Sequence, residues 1–180
     1  MFRRVLFRSE VINSLKQHIF NWIIWPDFNE IPSIDHPFLC YNEISVGQTV
    51  QIAQKWITAL PANHVVPAMG YQIDSGTNSL VFTGDTAACP EFWAVINLIS
   101  NLKVLIIETA FSNAEAQLAL LSKHLCPATL AQQLGFLTSQ PAIYITHLKP
   151  GENVTIMQEI AAHPLTRQCR ALLQQQIFTL

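Results

Sequence analysis

The spacing of apolar residues changes along the chain. From Glu10 to Ile24 they recur every three or four positions, at Val11, Ile12, Leu15, Ile19, Phe20, Ile23 and Ile24. That period places them on one face of a helix, and Ser9 stands where an N-cap belongs. Trp25-Pro26-Asp27-Phe28 ends the helix, because proline restricts the residue before it. Asn29 to Tyr41, carrying Pro32 and Pro37, reads as an ordered loop. Thr49 to Ala53 and Trp56 to Leu60 read as strands. Ala68 to Asp74 and Leu80 to Phe82 form an antiparallel hairpin around Ser75-Gly76-Thr77-Asn78.

Beyond the hairpin, strand and helix alternate. Pro90 opens a helix at its favoured first position and carries it to about Leu102. Val104 to Ile107 is a continuous apolar strand ending at Glu108-Thr109. Asn113 to His124 is helical, with Asn113 as cap and Leu118, Leu121 and Leu125 on one side. Pro127 starts another helix that Gly135 ends. Ala142 to Thr146 is a buried strand leading to His147, and Glu152 to Ala162 is the following helix. The pattern is that of an α/β sheet covered by helices.

Composition sharpens this reading. Half of the 180 residues are hydrophobic and 12% are charged, as in a globular chain with little disorder. A net charge of −2 argues against a nucleic-acid surface and against an anionic membrane. No run is apolar enough to span a bilayer. Three of the ten basic residues, Arg3, Arg4 and Arg8, fall in the first eight positions. Residues 1–8 therefore read as an extraneous or disordered basic stub, and 9–180 as part of one domain. The four cysteines, Cys40, Cys89, Cys126 and Cys169, are widely separated. They fit free thiols in a reducing compartment, hence a cytoplasmic location.

The candidate chemistry gathers at strand ends. Leu80 to Phe82 runs into Thr83-Gly84-Asp85-Thr86, where a glycine turn holds a carboxylate at a rim that ligands reach. His64, in Asn-His-Val-Val-Pro, and His147, in Thr-His-Leu-Lys-Pro, occupy comparable places. Two imidazoles and a carboxylate suit zinc, and an aspartate can bridge two cations. For each residue alone, a turn or core position is the commoner outcome. Their joint arrival at strand ends shifts the balance toward metal binding. His124 ends a helix, a position that suits a proton donor or a dipole-compensating histidine. Glu108 either orients a histidine or caps the Asn113 region. Lys149 lies near a phosphate or in solvent. Asp35-His36 reads as an exposed loop pair.

Five blocks occur in order: Asn63-His64-Val65-Val66-Pro67-Ala68-Met69-Gly70-Tyr71, Phe82-Thr83-Gly84-Asp85-Thr86, Ile107-Glu108-Thr109-Ala110-Phe111, Ser122-Lys123-His124-Leu125 and Ile145-Thr146-His147-Leu148-Lys149-Pro150. Together they resemble the class II 3′,5′-cyclic-nucleotide phosphodiesterases, a branch of the metallo-β-lactamase superfamily. The resemblance runs from about Ser9 to about Ala162 and includes Trp25-Pro26-Asp27-Phe28. It implies an αββα sandwich with a two-zinc site at one edge. It also implies His64 as a ligand of one zinc, Asp85 as the bridging carboxylate and His147 as a ligand of the other. His124 resembles the histidine that contacts phosphate or assists the leaving group. The implied reaction is attack of metal-bound hydroxide on cyclic AMP or cyclic GMP, giving a nucleoside 5′-phosphate.

The family's His-x-His-x-Asp-His motif is absent, and His18 and Asp35-His36 do not rebuild its spacing. The expectation is therefore the C-terminal part of such an enzyme, a sandwich incomplete at its N-terminus. Its metal affinity would be weakened, and it would have little or no activity alone. An export signal, and with it a periplasmic location, would belong to the missing part. Two alternatives stand beside this reading. One is a ribonuclease Z-like or other phosphodiesterase of the same fold, sharing His-x-x-x-x-x-Gly-Tyr and Gly-Asp-x blocks. The other is a non-catalytic binding remnant. The expected partner is a small cyclic nucleotide, with no nucleic acid and no membrane. An incomplete sandwich leaves an edge or an apolar face open, so homo-oligomers are expected. Sizing chromatography of the purified chain should show species larger than 20.2 kDa; a sharp monomer peak at high concentration would contradict this.

Overall fold

The computed structural model describes residues 3–180, and the side chains from Val5 onward. The chain divides into two compact units, the first ending at Gln48 and the second running from Thr49 to Leu180.

The first unit contains β1 (Arg3–Phe7), α1 (Ser9–His18) and β2 (Leu39–Glu43). β1 and β2 pair in parallel, with Arg3 opposite Leu39 and Phe7 opposite Glu43. Part of the segment expected as a basic stub is thus a strand, and the expected loop gives way to β2 at Leu39. The helix ends six residues earlier than its periodicity suggests, at His18 rather than Ile24. Asn21 accepts hydrogen bonds from the Ile23 and Ile24 amides at 3.0 Å each, an Asx-type turn that competes with helix. Pro26 then disfavours helical backbone at Trp25. Arg8, rather than Ser9, occupies the N-cap position. Phe20 and Phe28 meet edge to face at 5.6 Å.

The second unit is built on one sheet in the order β3 (Thr49–Ile52), β4 (Lys55–Leu60), β5 (Gly70–Asp74), β6 (Ser79–Phe82), β7 (Leu102–Glu108), β8 (Ala142–Thr146) and β9 (Arg170–Ala171). β3 to β6 pair antiparallel and β6 to β9 pair parallel. The expected hairpin is β5–β6. The short strand β9 has no apolar run behind it and escapes sequence reading.

The parallel strands are the apolar ones, as burial on both faces requires. On one face Val81, Leu105, Ile107, Ile143 and Ile145 pack beneath α2 (Pro90–Ile96), α4 (Pro127–Leu134) and α5 (Asn153–Ala162). The helices contribute Phe92, Trp93, Ile96, Leu130, Leu134, Ile156 and Ile160. Each such side chain, taken out of water, stabilises the fold by about 2 kcal/mol. On the other face Leu80, Val104 and Ile106 are covered by Ile73, Tyr144 and the C-terminal residues Leu172, Phe178 and Leu180.

Two helices depart from expectation. α2 stops at Ile96 because Asn97 turns its side chain to the Phe136 carbonyl and the Thr138 amide. The region from Asn113 splits into a 3-10 turn (Asn113–Glu115) and α3 (Ala116–Ser122). Asn113 does not cap its own turn. Its side chain accepts from the Ala128 amide at 2.8 Å, within the first turn of α4. Leu118 and Leu121 are exposed, whereas Leu125 lies beyond the helix and is buried.

Gly84 and Gly70 bring two backbones into close approach. Gly84 has φ +64°, and a Cβ there would lie 2.8 Å from the Met69 carbonyl oxygen. A Cβ at Gly70 would lie 2.7 Å from the Phe82 carbonyl oxygen. Gly84→Ala should therefore destabilise the protein by about 3 kcal/mol, combining left-handed strain with overlap. Urea unfolding measures it, and a loss below about 0.5 kcal/mol would show that the turn relaxes freely.

Candidate functional site

β4, β6, β7 and β8 run in the same direction, so their C-terminal ends open at one end of the sheet. In open α/β sheets ligands bind at that end. His64 follows β4, Asp85 follows β6, Glu108 is the last residue of β7, and His147 directly follows β8. His124 joins them from the connection between α3 and α4.

Backbone hydrogen bonds lock these loops together. The Asn63 amide donates to Thr86 Oγ1 at 2.9 Å, and the Ala87 amide returns a bond to the Asn63 carbonyl at 2.8 Å. The Thr109 amide donates to the Thr146 carbonyl at 3.0 Å, and the Ala110 amide to the Leu125 carbonyl at 3.1 Å. His147 sits in the left-handed region at φ 61°, a conformation that costs a non-glycine residue roughly 1–2 kcal/mol.

The side chains converge. One donor atom each from His64, Asp85 and His124 lies within 4.8 Å of the others. The His64 and His124 rings are 4.8 Å apart, and His147 stacks on His124 at 5.1 Å. His147 Nδ1 lies 3.8 Å from Asp85 Oδ1, too far for a hydrogen bond.

Glu108 lies beneath this cluster with no exposed surface. Its Oε1 accepts from the Thr86 amide at 3.0 Å, and its Oε2 from the Leu125 amide at 3.2 Å. Oε1 also lies 2.8 Å from His124 Nδ1. Glu108 thus contacts a histidine and two backbone amides, and does not cap the Asn113 region. Burial pushes its carboxyl up to about 7, against the pull of the Thr86 and Leu125 amides. Burial also lowers His124, with Asp85 opposing. Both shifts favour the uncharged form of the pair, so desolvation outweighs mutual attraction despite the short contact.

Lys149 is held by two carboxylates. Its Nζ donates to the two Glu115 carboxylate oxygens at 2.6 and 2.8 Å and to Glu152 at 3.3 Å. It also lies 5.5 Å from the centre of the Phe111 ring, which meets His124 edge to face at 5.7 Å. Phe111, Thr86 and Lys123 each touch a site histidine or Glu108, and the sequence reading singled out none of them. Their place beside Asp85, Glu108 and His124 in the chain was the available signal. Asp35 and His36 are exposed in the first unit, and His18 ends α1.

A family profile described as a beta-lactamase superfamily domain matches residues 11–166. The chain belongs to the beta-lactamase superfamily. No curated protein matches it. Among solved structures, this superfamily member is similar to unliganded yeast PDE1, with a TM-score of 0.75 and 17% identity over 95% of this chain and 58% of that one. It is also similar to the metallo-beta-lactamase fold protein YhfI from Bacillus subtilis, with a TM-score of 0.71 and 14% identity over 98% and 64%. Human tRNase Z, short form, aligns with a TM-score of 0.62 and 12% identity over 97% and 64%. The fold is therefore the metallo-β-lactamase fold, and the chain spans about three-fifths of the length of these relatives. None of the helices among the described residues is long and apolar enough to cross a membrane.

A carboxyl held above its ordinary value favours the fold at low pH, and that contribution is lost as pH rises through the folded value. For Glu108 the window runs from about 4.5 to about 7. Between pH 5 and pH 8, metal-free wild type should therefore lose up to about 3 kcal/mol relative to Glu108→Gln, which does not titrate. Urea unfolding of both proteins with a chelator present measures the difference, and a gap independent of pH would contradict it.

Proposed function

We propose that this site hydrolyses a 3′,5′-cyclic nucleotide, cyclic AMP or cyclic GMP, to a nucleoside 5′-phosphate, using zinc. One observation carries the reading: His64, Asp85 and His124 converge on one space, and His124 rests against the buried Glu108. The donor set fits a divalent cation. His64 Nδ1 lies 3.1 Å from the Lys123 carbonyl oxygen, which can only accept, so Nε2 retains a lone pair for metal. Asp85 brings a second donor type to the same space, and His147 stands beside it.

Bound zinc would supply Lewis acidity at a phosphoryl oxygen. His64, Asp85 and His147 are its proposed holders. His124 is the proton donor. When Glu108 carries a proton on Oε1 and donates it to Nδ1, the ring proton resides on Nε2 and is available to the leaving oxygen. Water attack on phosphorus forms one P–O bond and breaks P–O3′. Nε2 gives its proton to O3′ as Glu108 passes its own to Nδ1, and the proton lost by the water goes to solvent, leaving the phosphate on O5′. Glu108 touches neither substrate nor metal in this scheme and is a positioning residue.

The order of the five motif blocks supports a cyclic nucleotide. The fold itself is shared with tRNase Z and does not choose between substrates. The net charge of −2 disfavours a polynucleotide, whose phosphates need clustered cations. The few protein donors leave zinc weakly held, since such sites normally use three or four for each ion.

Purified chain supplied with zinc should convert cyclic AMP to 5′-AMP slowly, and Asp85→Asn and His124→Ala should each reduce this to the zinc-only background. Chromatography of the nucleotides reads the outcome. Turnover unaffected by both substitutions, or cleavage of precursor tRNA in its place, would overturn the proposal.

A further inference from the structure

Helix α3 ends without a glycine. Lys123, which follows Ser122, adopts the left-handed conformation at φ 55° and ψ 54°. A residue with a Cβ enters that region at a cost of roughly 1 kcal/mol. Its amide closes the helix on the Ala119 and Leu120 carbonyls. Its carbonyl oxygen is the one that lies 3.1 Å from His64 Nδ1. At the far end of the same residue, Nζ donates to the His64 carbonyl at 3.4 Å. A single residue, 59 positions away in the chain, therefore holds His64 by its ring and by its backbone.

We infer that Lys123 is a positioning residue for His64: its left-handed backbone presents the carbonyl that fixes the imidazole as the Nδ1–H tautomer and leaves Nε2 free for the cation. The inference deepens the zinc reading and rests on it only for the affinity measurement below. The backbone carries the role, because the ring contact is the shorter one and fixes the tautomer. Any residue able to hold the left-handed turn should therefore replace lysine, ammonium group or not. Glycine populates that region freely, whereas a β-branched residue is a true outlier there. Lys123→Gly thus keeps the carbonyl in place while deleting the ammonium group. Lys123→Val keeps neither the ammonium group nor the preferred backbone.

Long-range proton–nitrogen correlation spectra of the metal-free protein, at about pH 8.5 where imidazoles are neutral, report the tautomer of His64. Wild type and Lys123→Gly should show the proton on Nδ1, and Lys123→Val should show it shared with or moved to Nε2. Competition with a chromogenic chelator should find zinc affinity within about twofold of wild type for the glycine variant. For the valine variant it should be weakened about tenfold or more, as for other lost partners of a ligating histidine. An Nε2–H His64 in wild type or in Lys123→Gly overturns the inference. So does a folded Lys123→Val with wild-type tautomer and affinity. If valine prevents folding, the wild-type and glycine spectra decide alone. If no protein binds zinc while the tautomers follow the expected pattern, the zinc reading fails and the clamp on His64 stands.

Discussion

The buried carboxyl of Glu108 is the contact on which the site depends. It ends an apolar strand, has no exposed surface, and accepts amides from Thr86 and Leu125 while meeting His124. Those three partners belong to two separate segments: Thr86 to the turn carrying Asp85, and the adjacent His124 and Leu125 to the connection between α3 and α4. Leaving a carboxyl in an apolar strand end costs several kcal/mol unless it is hydrogen-bonded. The same partners that offset that cost hold the end of β7, that turn and that connection in register.

Charge is managed differently at the rim. Lys149, near the histidines, is occupied by Glu115 and Glu152 and lies against Phe111. These contacts are partly exposed and contribute little to stability. They do orient the Phe111 ring beside His124. In the proposed reading, positive charge for a phosphate would come from a cation held by His64, Asp85 and His147. Left-handed backbone at Gly84, Lys123 and His147 recurs around this space. Such conformations persist where surrounding hydrogen bonds over-determine them, as they do here.

The second unit was legible in the sequence wherever local chemistry decides. The β5–β6 hairpin, the apolar runs of β7 and β8, and the Pro127 start of α4 follow from period, turn residues and proline. Misreadings arose where short polar side chains diverted the backbone. Asn21 ended α1 early, Asn97 ended α2, and Asn113 capped α4 instead of its own turn. Each of those bonds except the first reaches a residue at least 15 positions away, beyond any local pattern.

The sequence alone determined which residues are candidates and that they sit at strand ends, because strands and turns are set by neighbours a few positions apart. His64, Asp85, Glu108 and His147 were identifiable on that basis, and His124 from its place at the end of a helix. Only the tertiary structure decided what each one touches. Glu108 faces His124 because the connection between α3 and α4 is tied to the chain just beyond β7 by the Ala110 amide and the Leu125 carbonyl, and Lys123 reaches His64 across 59 positions. Tautomer, burial and the upward shift of Glu108 are properties of that packing. A one-dimensional pattern carries no information on desolvation, and desolvation is what sets the chemistry of this site.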